Sequence, residues 1–260
     1  MDIFNIIVLS AVEGITEFLP ISSTGHLILV SNLLNISQTE FLKTFEIAIQ
    51  SGAVLAVINL YWKKLYADKK LIKKALLGLL PTMIVGVVFY PFIRNYLFES
   101  TQTISIALII GGIFILFIEN RLKSGENTPL KITDDLSKVT YKQAFLTGLT
   151  QSLAIIPGVS RALSSIFGGM FFGLNRKTAT EFSFILALPT IMAATGFDLV
   201  QTAPQFSTNQ IFQLLIGVAV SFIVALFTIK WLIKYVSTHS FVFFGWYRIV
   251  IGIIFLLLFL

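Results

Sequence analysis

Six stretches of this chain, 41–62, 75–93, 103–118, 178–200, 210–230 and 241–260, are nearly unbroken runs of apolar residues. A bilayer core asks for about 20 such residues in helix, within a range of roughly 17–25. The 103–118 run is the shortest, and its flanks extend it. Composition points the same way. Only 12% of the 260 residues are charged and 56% are apolar, with 25 Phe and no Cys, whereas a soluble domain carries about 25% charged residues. No water-soluble sphere of this size could cover so much apolar surface. That excludes a soluble enzyme and a disordered chain, and the lack of Cys excludes a disulfide scaffold and a thiolate metal site. The expected fold is an all-α polytopic membrane protein, forming one integral membrane domain over 1–260.

Two further apolar regions do not read as simple spans. Residues 3–34 are interrupted by Pro20-Ile21-Ser22-Ser23-Thr24-Gly25, and residues 143–173 by Pro157-Gly158-Val159-Ser160-Arg161. The pieces on either side run about 10–17 residues, mostly too short to cross a bilayer alone, and read as re-entrant half-helix hairpins. The apolar start, 3–12, has Asp2 where a signal peptide has a basic region. Glu13 and Glu17 stand where its cleavage site would lie, so it is not read as a cleaved signal.

Lysine and arginine assign the sides. All but Lys43, Arg94, Arg161 and Arg248 of the 19 basic residues fall in or beside 63–74, 119–142, 174–177 and 231–240, which the positive-inside rule makes cytoplasmic. The net charge of +6 therefore reports topology and not a nucleic-acid partner. The first hairpin then enters from outside, the second from inside, and both chain ends lie outside. This is one plan used twice in opposite orientations, repeat 1 over about 1–120 and repeat 2 over about 141–260, joined by the cytoplasmic 119–142. Gly14-Ile15-Thr16-Glu17 matches Gly148-Leu149-Thr150-Gln151, and Phe45-Glu46-Ile47 matches Thr180-Glu181-Phe182, at nearly equal offsets. An inverted repeat of broken helices places a polar site where the breaks meet.

An ionisable residue inside a span costs about 2.5–3.5 kcal/mol on insertion scales, so each needs a reason. Glu13 and Glu17 share a helix face at i, i+4. They are either carboxylates wetted from outside or a paired site that holds a cation or keeps a proton for general-base work. Ser22, Ser23 and Thr24 follow Pro20 as N-cap residues of the second half-helix, whose free N–H groups favour an anion, phosphate above all. Three hydroxyls followed by Gly25 and His26 exceed what capping needs, and His26 lies one turn from Ser22 and Ser23. Gly158, Ser160 and Arg161 repeat the plan at the second break. Arg161 is either a bidentate phosphate ligand or a structural partner of one of the glutamates. Glu46, Glu181, Gln50, Ser51 and Gln151 read as supporting polar groups, with Glu46 and Glu181 a candidate mutual pair. Asp198 and Arg248 read as snorkelling residues near span ends. The Phe excess reads as lipid-facing filler or an interfacial belt.

The string Glu13-Gly-Ile-Thr-Glu17-Phe-Leu-Pro20-Ile-Ser-Ser23-Thr-Gly-His26 closely resembles a signature of the undecaprenyl-diphosphate phosphatases, the bacitracin-resistance proteins, and Pro157-Gly-Val-Ser160-Arg161 resembles their other signature. The resemblance implies removal of the terminal phosphate from a C55 prenyl diphosphate. The product is the monophosphate carrier of peptidoglycan precursors, and the site opens to the periplasmic side of a bacterial inner membrane. It implies Glu13 and Glu17 in acid/base work with a divalent cation, Mg²⁺ or Ca²⁺, Ser23 as nucleophile, His26 in catalysis, and Arg161 on phosphate. Ser22, Thr24, Ser160 and Gly158 would line the substrate. The proton of Ser23 goes to His26 or Glu17 on this plan, and His26 or a water stands as an alternative nucleophile. One departure is visible: the family usually continues Ser-Arg-Ser-Gly, whereas Arg161 is followed here by Ala162 and Leu163, with Ser164 and Ser165 as candidate replacements one turn on. Inverted repeats also build carriers, so a prenyl-phosphate flippase is the alternative. The sequence leaves monomer and homodimer both open.

Overall fold

The computed structural model describes residues 1–96, 101–123, 132–202 and 206–259, with side chains for all of these except 90–96, 123, 197–202 and 259. Arg94, Asp198 and residues 124–131 of the 119–142 connection lie outside the described side chains. Among the described residues ten α-helices follow one another: α1 (Ile3–Thr16), α2 (Ser23–Leu33), α3 (Glu40–Ala67), α4 (Lys69–Tyr96), α5 (Thr101–Lys123), α6 (Tyr141–Gln151), α7 (Arg161–Phe171), α8 (Arg176–Thr202), α9 (Thr208–Val236) and α10 (Val242–Phe259). Among the described residues there is no sheet, only an isolated bridge between Thr133 and Leu174. The chain is a multi-pass, all-helical membrane protein. Five helices, α3, α4, α5, α8 and α9, are long and apolar enough to cross a membrane. Helix α10, which the sequence reads as the sixth span, is a shorter apolar helix whose 18 residues reach about 27 Å at 1.5 Å per residue.

The remaining four helices are the two broken hairpins, α1–α2 and α6–α7, and the sequence explains where each breaks. Pro20 has no N–H to continue α1, and a short 3₁₀ turn, Ser152–Ile155, ends α6 before Pro157. Helix starts are capped by hydroxyls and carboxylates: Asp2 for α1, Thr39 for α3, and full capping boxes at Thr140/Gln143 and Ser207/Gln210.

Packing exchanges partners between the repeats. Helix α1 packs on α9 and α6 packs on α4, while α3 meets α8 and α5 meets α10, each against its own counterpart. The exchanged crossings turn on the matched glycines. A Cβ on Gly14 would come 2.7 Å from the Ser221 carbonyl of α9, and one on Gly148 would overlap the Gly78 carbonyl of α4. The Phe excess is only partly lipid-facing. Phe18, Phe45, Phe182, Phe184, Phe241, Phe244 and Phe255 are fully buried, and Phe18 meets Phe184 edge to face at 5.0 Å. Spans that pack against one another need interior filler, which a lipid-facing reading leaves out.

Candidate active site

Both breaks are built around a serine in an unfavourable conformation. Ser22 has φ +73 and Ser160 φ +78, and Gly158 has φ +89. A non-glycine residue in the left-handed region costs of order 1–3 kcal/mol and persists only when its surroundings dictate it. Each serine is the N-cap of the returning half-helix, α2 or α7. Ser160 Oγ accepts from Leu163 N at 3.2 Å, whereas the Ser22 side chain makes no capping bond. The first-turn N–H groups of α2 are thereby left for an anion.

The residue after each serine begins its helix and carries the reactive group. Ser23 Oγ donates to Glu17 Oε2 at 2.6 Å. Arg161 reaches the same carboxylate from the other hairpin, its Nη2 and Nε donating to Glu17 Oε1 at 3.0 and 3.3 Å. Glu17 thus joins the hydroxyl of one break to the guanidinium of the other. Arg161 is fixed further by Nη1 donating to the Ser183 carbonyl at 3.2 Å and by stacking over Phe18 at 5.7 Å. Of the two sequence readings of Arg161, the structure shows the ion pair and also places the residue on a cavity wall.

That cavity, about 250 Å³, is lined by Glu17, Ser22, Ser23, Thr24, Gly158, Ser160 and Arg161, and by Gln50, Thr82, Gln151 and Thr190. The seven residues named first are predicted site residues brought together from both breaks. Glu13 and His26 do not line it. Glu13 is fully buried behind Glu17, and neither of its carboxyl oxygens has a hydrogen-bond partner among the described residues. His26 has both ring nitrogens engaged elsewhere: Nδ1 with the Ser22 carbonyl at 2.7 Å and Nε2 with the Tyr247 hydroxyl at 2.8 Å. A carbonyl only accepts, so Nδ1 carries a proton and holds the strained Ser22 turn.

Two sequence readings need correction. Arg248 does not snorkel. It is 0% exposed, and its guanidinium donates to four carbonyls: Pro20 at 3.0 Å, Gly158 at 2.9 Å, and Ala107 and Leu108 of α5 at 3.0 and 3.3 Å. One side chain ties the first break to the second, because it is turned inward to the Pro20 and Gly158 carbonyls that the breaks leave without helical donors, and it braces both against α5. Glu46 and Glu181 are not a mutual pair. Glu181 accepts from Tyr61 and Lys64 at 3.2 and 3.3 Å, and Glu46 Oε1 has no hydrogen-bond partner among the described residues.

Sequence reasoning also missed Thr82 and Thr190. Gln151 Nε2 donates to both, at 3.1 and 3.2 Å, bridging α4 and α8. The signal was present as a likeness outside the repeat, Pro81-Thr82-Met83-Ile84 of α4 against Pro189-Thr190-Ile191-Met192 of α8. Ser51, by contrast, turns back to the Ala48 carbonyl at 2.5 Å.

A family model described as bacitracin resistance protein BacA matches residues 6–254. The chain belongs to the BacA family. Its relatives include proteins named undecaprenyl-diphosphatase from Aquifex aeolicus, 43% identical with all of both chains covered, and from Sulfurihydrogenibium sp., 47% identical over 99% of each. One from Methanococcus aeolicus is 45% identical over all of this chain and 99% of the relative.

Within this BacA-family chain, the Ala162-Leu163 departure is a core feature. Both residues are buried in the main apolar cluster. Ser164 Oγ donates to the Ser160 carbonyl and Ser165 is bound to the Arg161 carbonyl and to Ser183 Oγ, so neither serine lines the cavity as a replacement.

The donor set for a divalent cation is partial. Glu13 offers two buried oxygens without partners, the oxygens of Glu17 are shared with Ser23 and Arg161, and no cluster of three metal-holding side chains occurs among the described residues. All-oxygen donors suit hard cations, but two carboxylates fall short of the roughly six to eight ligands of Ca²⁺. They suit an ion such as Mg²⁺, which brings water and phosphate oxygens as most of its shell.

Proposed function

We propose that this chain hydrolyses a prenyl diphosphate, undecaprenyl diphosphate being the substrate its relatives' names carry, to the prenyl monophosphate and inorganic phosphate. The observation that supports this reading best is the 2.6 Å bond from Ser23 Oγ to Glu17, made at an uncapped helix N-terminus facing Arg161. Ser23 Oγ attacks the terminal phosphorus, the bond to the bridging oxygen breaks, and the prenyl monophosphate leaves. The proton of Ser23 passes to Glu17 Oε2. Once protonated, Glu17 no longer neutralises Arg161, and the guanidinium turns its charge to the phosphate as negative charge develops there. Water then attacks the phosphoserine, the bond from phosphorus to Ser23 Oγ breaks as Glu17 returns its proton to that oxygen, and phosphate leaves carrying the hydrogens of the water. His26, held by Ser22 and Tyr247, shapes the turn that aims Ser23 and does not take its proton. A divalent cation held by Glu13, Glu17 and the substrate would neutralise phosphate charge.

Lys64, Lys69 and Lys70 mark the cytoplasmic end of α3 and α4 by the positive-inside rule. The cavity residues Gly86 and Ala194 lie toward the opposite ends of α4 and α8. This supports a site that opens to the outer face of a bacterial inner membrane, where the carrier lipid for wall precursors would be regenerated. Every group named above comes from one chain, so the chemistry does not require a homodimer. The comparisons lend the flippase alternative no support.

Purified protein should release inorganic phosphate from C55 diphosphate. Ser23→Ala should reduce the rate on the order of 10³-fold or more, the scale of nucleophile loss, and Glu17→Gln should abolish most activity. A phosphorylated Ser23 should be trappable in a single turnover. Near wild-type release by Ser23→Ala would show that the nucleophile lies elsewhere.

A further inference from the structure

The reading above leaves the hydrocarbon chain of the substrate unplaced, and this inference rests on that reading. A cavity of about 250 Å³ falls below the usual size of ligand pockets, roughly 300–1,000 Å³. It accommodates a diphosphate headgroup and not a long prenyl chain, which must therefore leave through a wall. Two walls are the polar breaks. The rest of the lining comes from Gln50 of α3 and mainly from α4 and α8, which carry the similar stretches Pro81-Thr82-Met83-Ile84-Val85-Gly86 and Pro189-Thr190-Ile191-Met192-Ala193-Ala194.

These stretches change character within one helical turn. At Thr82 and Thr190 the wall is polar and closed by the Gln151 amide. Four residues further along each helix, on the same face, the lining residues are Gly86 and Ala194, neither of which carries a polar side chain. A Cβ on Gly86 would meet nothing within 4 Å, and Ala194 is exposed. Around this gap the outward surface is apolar: Ile84 is 64% exposed, Val87 76% and Met192 56%, as suits a face toward lipid tails. Pro81 and Pro189 each withhold a backbone N–H from their helix, which softens both walls at the level of the polar closure. We propose that the gap between Gly86 and Ala194 is a lateral portal through which the first isoprene units of the substrate pass from the headgroup cavity into the bilayer. The Gln151 bridge forms its polar inner sill.

The chain contains no cysteine, so single-cysteine variants report directly. Gly86→Cys and Ala194→Cys are placed in the portal. Gly196→Cys is the control: it is on α8, also with nothing within 4 Å of its Cβ, but away from the cavity lining. Maleimide labelling is followed with a C15 prenyl methylenebisphosphonate and, separately, with methylenebisphosphonate lacking the chain. The prenyl probe at ten times its Kd should slow labelling at 86 and 194 by roughly tenfold, the fall in free protein at that occupancy. It should leave 196 unchanged, and the chainless probe should slow none of the three. Equal protection by both probes, or protection at 196 but not at 86, would overturn the portal. In a second arm, Gly86→Phe, at a position where a Cβ meets nothing within 4 Å, should lower kcat/KM for C55 diphosphate by about tenfold or more, as expected for losing roughly two buried methylenes of contact. An unchanged value at unaltered thermal stability also overturns it. If wild-type protein releases no phosphate while the prenyl probe still protects 86 and 194, the phosphatase reading fails and the portal stands as a lipid-binding feature.

Discussion

Glu17 and Arg161 form the pair on which the site depends, and they are separated by 144 residues of chain. The pair is 7% and 12% exposed on its side chains, so it is shielded from water and its charges act at short range. Arg161→Ala should lower phosphate release on the order of 10²–10³-fold, the usual consequence of deleting one charge-stabilising donor. Arg161→Lys should recover little of this, because a point charge cannot reproduce the two-donor fork. Arg248 predicts a different outcome. Arg248→Leu removes the donor that satisfies the Pro20 and Gly158 carbonyls of the two breaks, each costing about 1–3 kcal/mol when unsatisfied. The expected result is a large fall in unfolding temperature in detergent, with activity lost because both breaks are released. At this scale the motif residues were legible, since hydroxyls, carboxylates and guanidinium stand out in an apolar chain. Arg248 was not, because chain position alone does not say which face of α10 is turned to a neighbour.

At the scale of elements, what matters is that four half-helices end inside the protein. Each end exposes N–H or C=O groups that lipid cannot satisfy, and the chain answers with serines, Arg248 and the cavity itself. Placement of the half-helices relies on the close approach of α1 to α9 and of α6 to α4. Gly148→Val should separate α6 from α4 and move Gln151 away from Thr82 and Thr190. It should lower both stability and activity, read by thermal unfolding and phosphate release. Val at Gly86 should leave stability unchanged, since its Cβ meets nothing. The breaks and the equal-offset glycines were visible in the sequence. The exchange of partners between repeats was not, because periodicity gives the apolar face of a helix and not which helix covers it.

For the whole molecule, the charge distribution and the cavity must agree on a side. The short connection after α2 should face outward and the Lys-rich connection between α3 and α4 inward. In the naturally cysteine-free chain, an impermeant maleimide should label Ser37→Cys in intact cells, and should label Lys70→Cys only after permeabilisation. Labelling of Lys70→Cys from outside would reverse the orientation and move the cavity mouth to the cytoplasmic side.

The sequence by itself determined that the chain lives in a membrane, that six helices cross and two pairs break, and which few polar residues need a reason to be there. Those conclusions follow from the cost of placing charge and unpaired backbone in hydrocarbon, a local property that each segment carries wherever it sits. Only the tertiary structure decided that Glu17 stands between Ser23 and Arg161, that Arg248 locks the two breaks together, and that Glu13 and His26 support the cavity from behind it. Such facts depend on which distant segments meet. Between helices equally apolar on their outer faces, that choice is made by close packing and by pairing of buried polar groups.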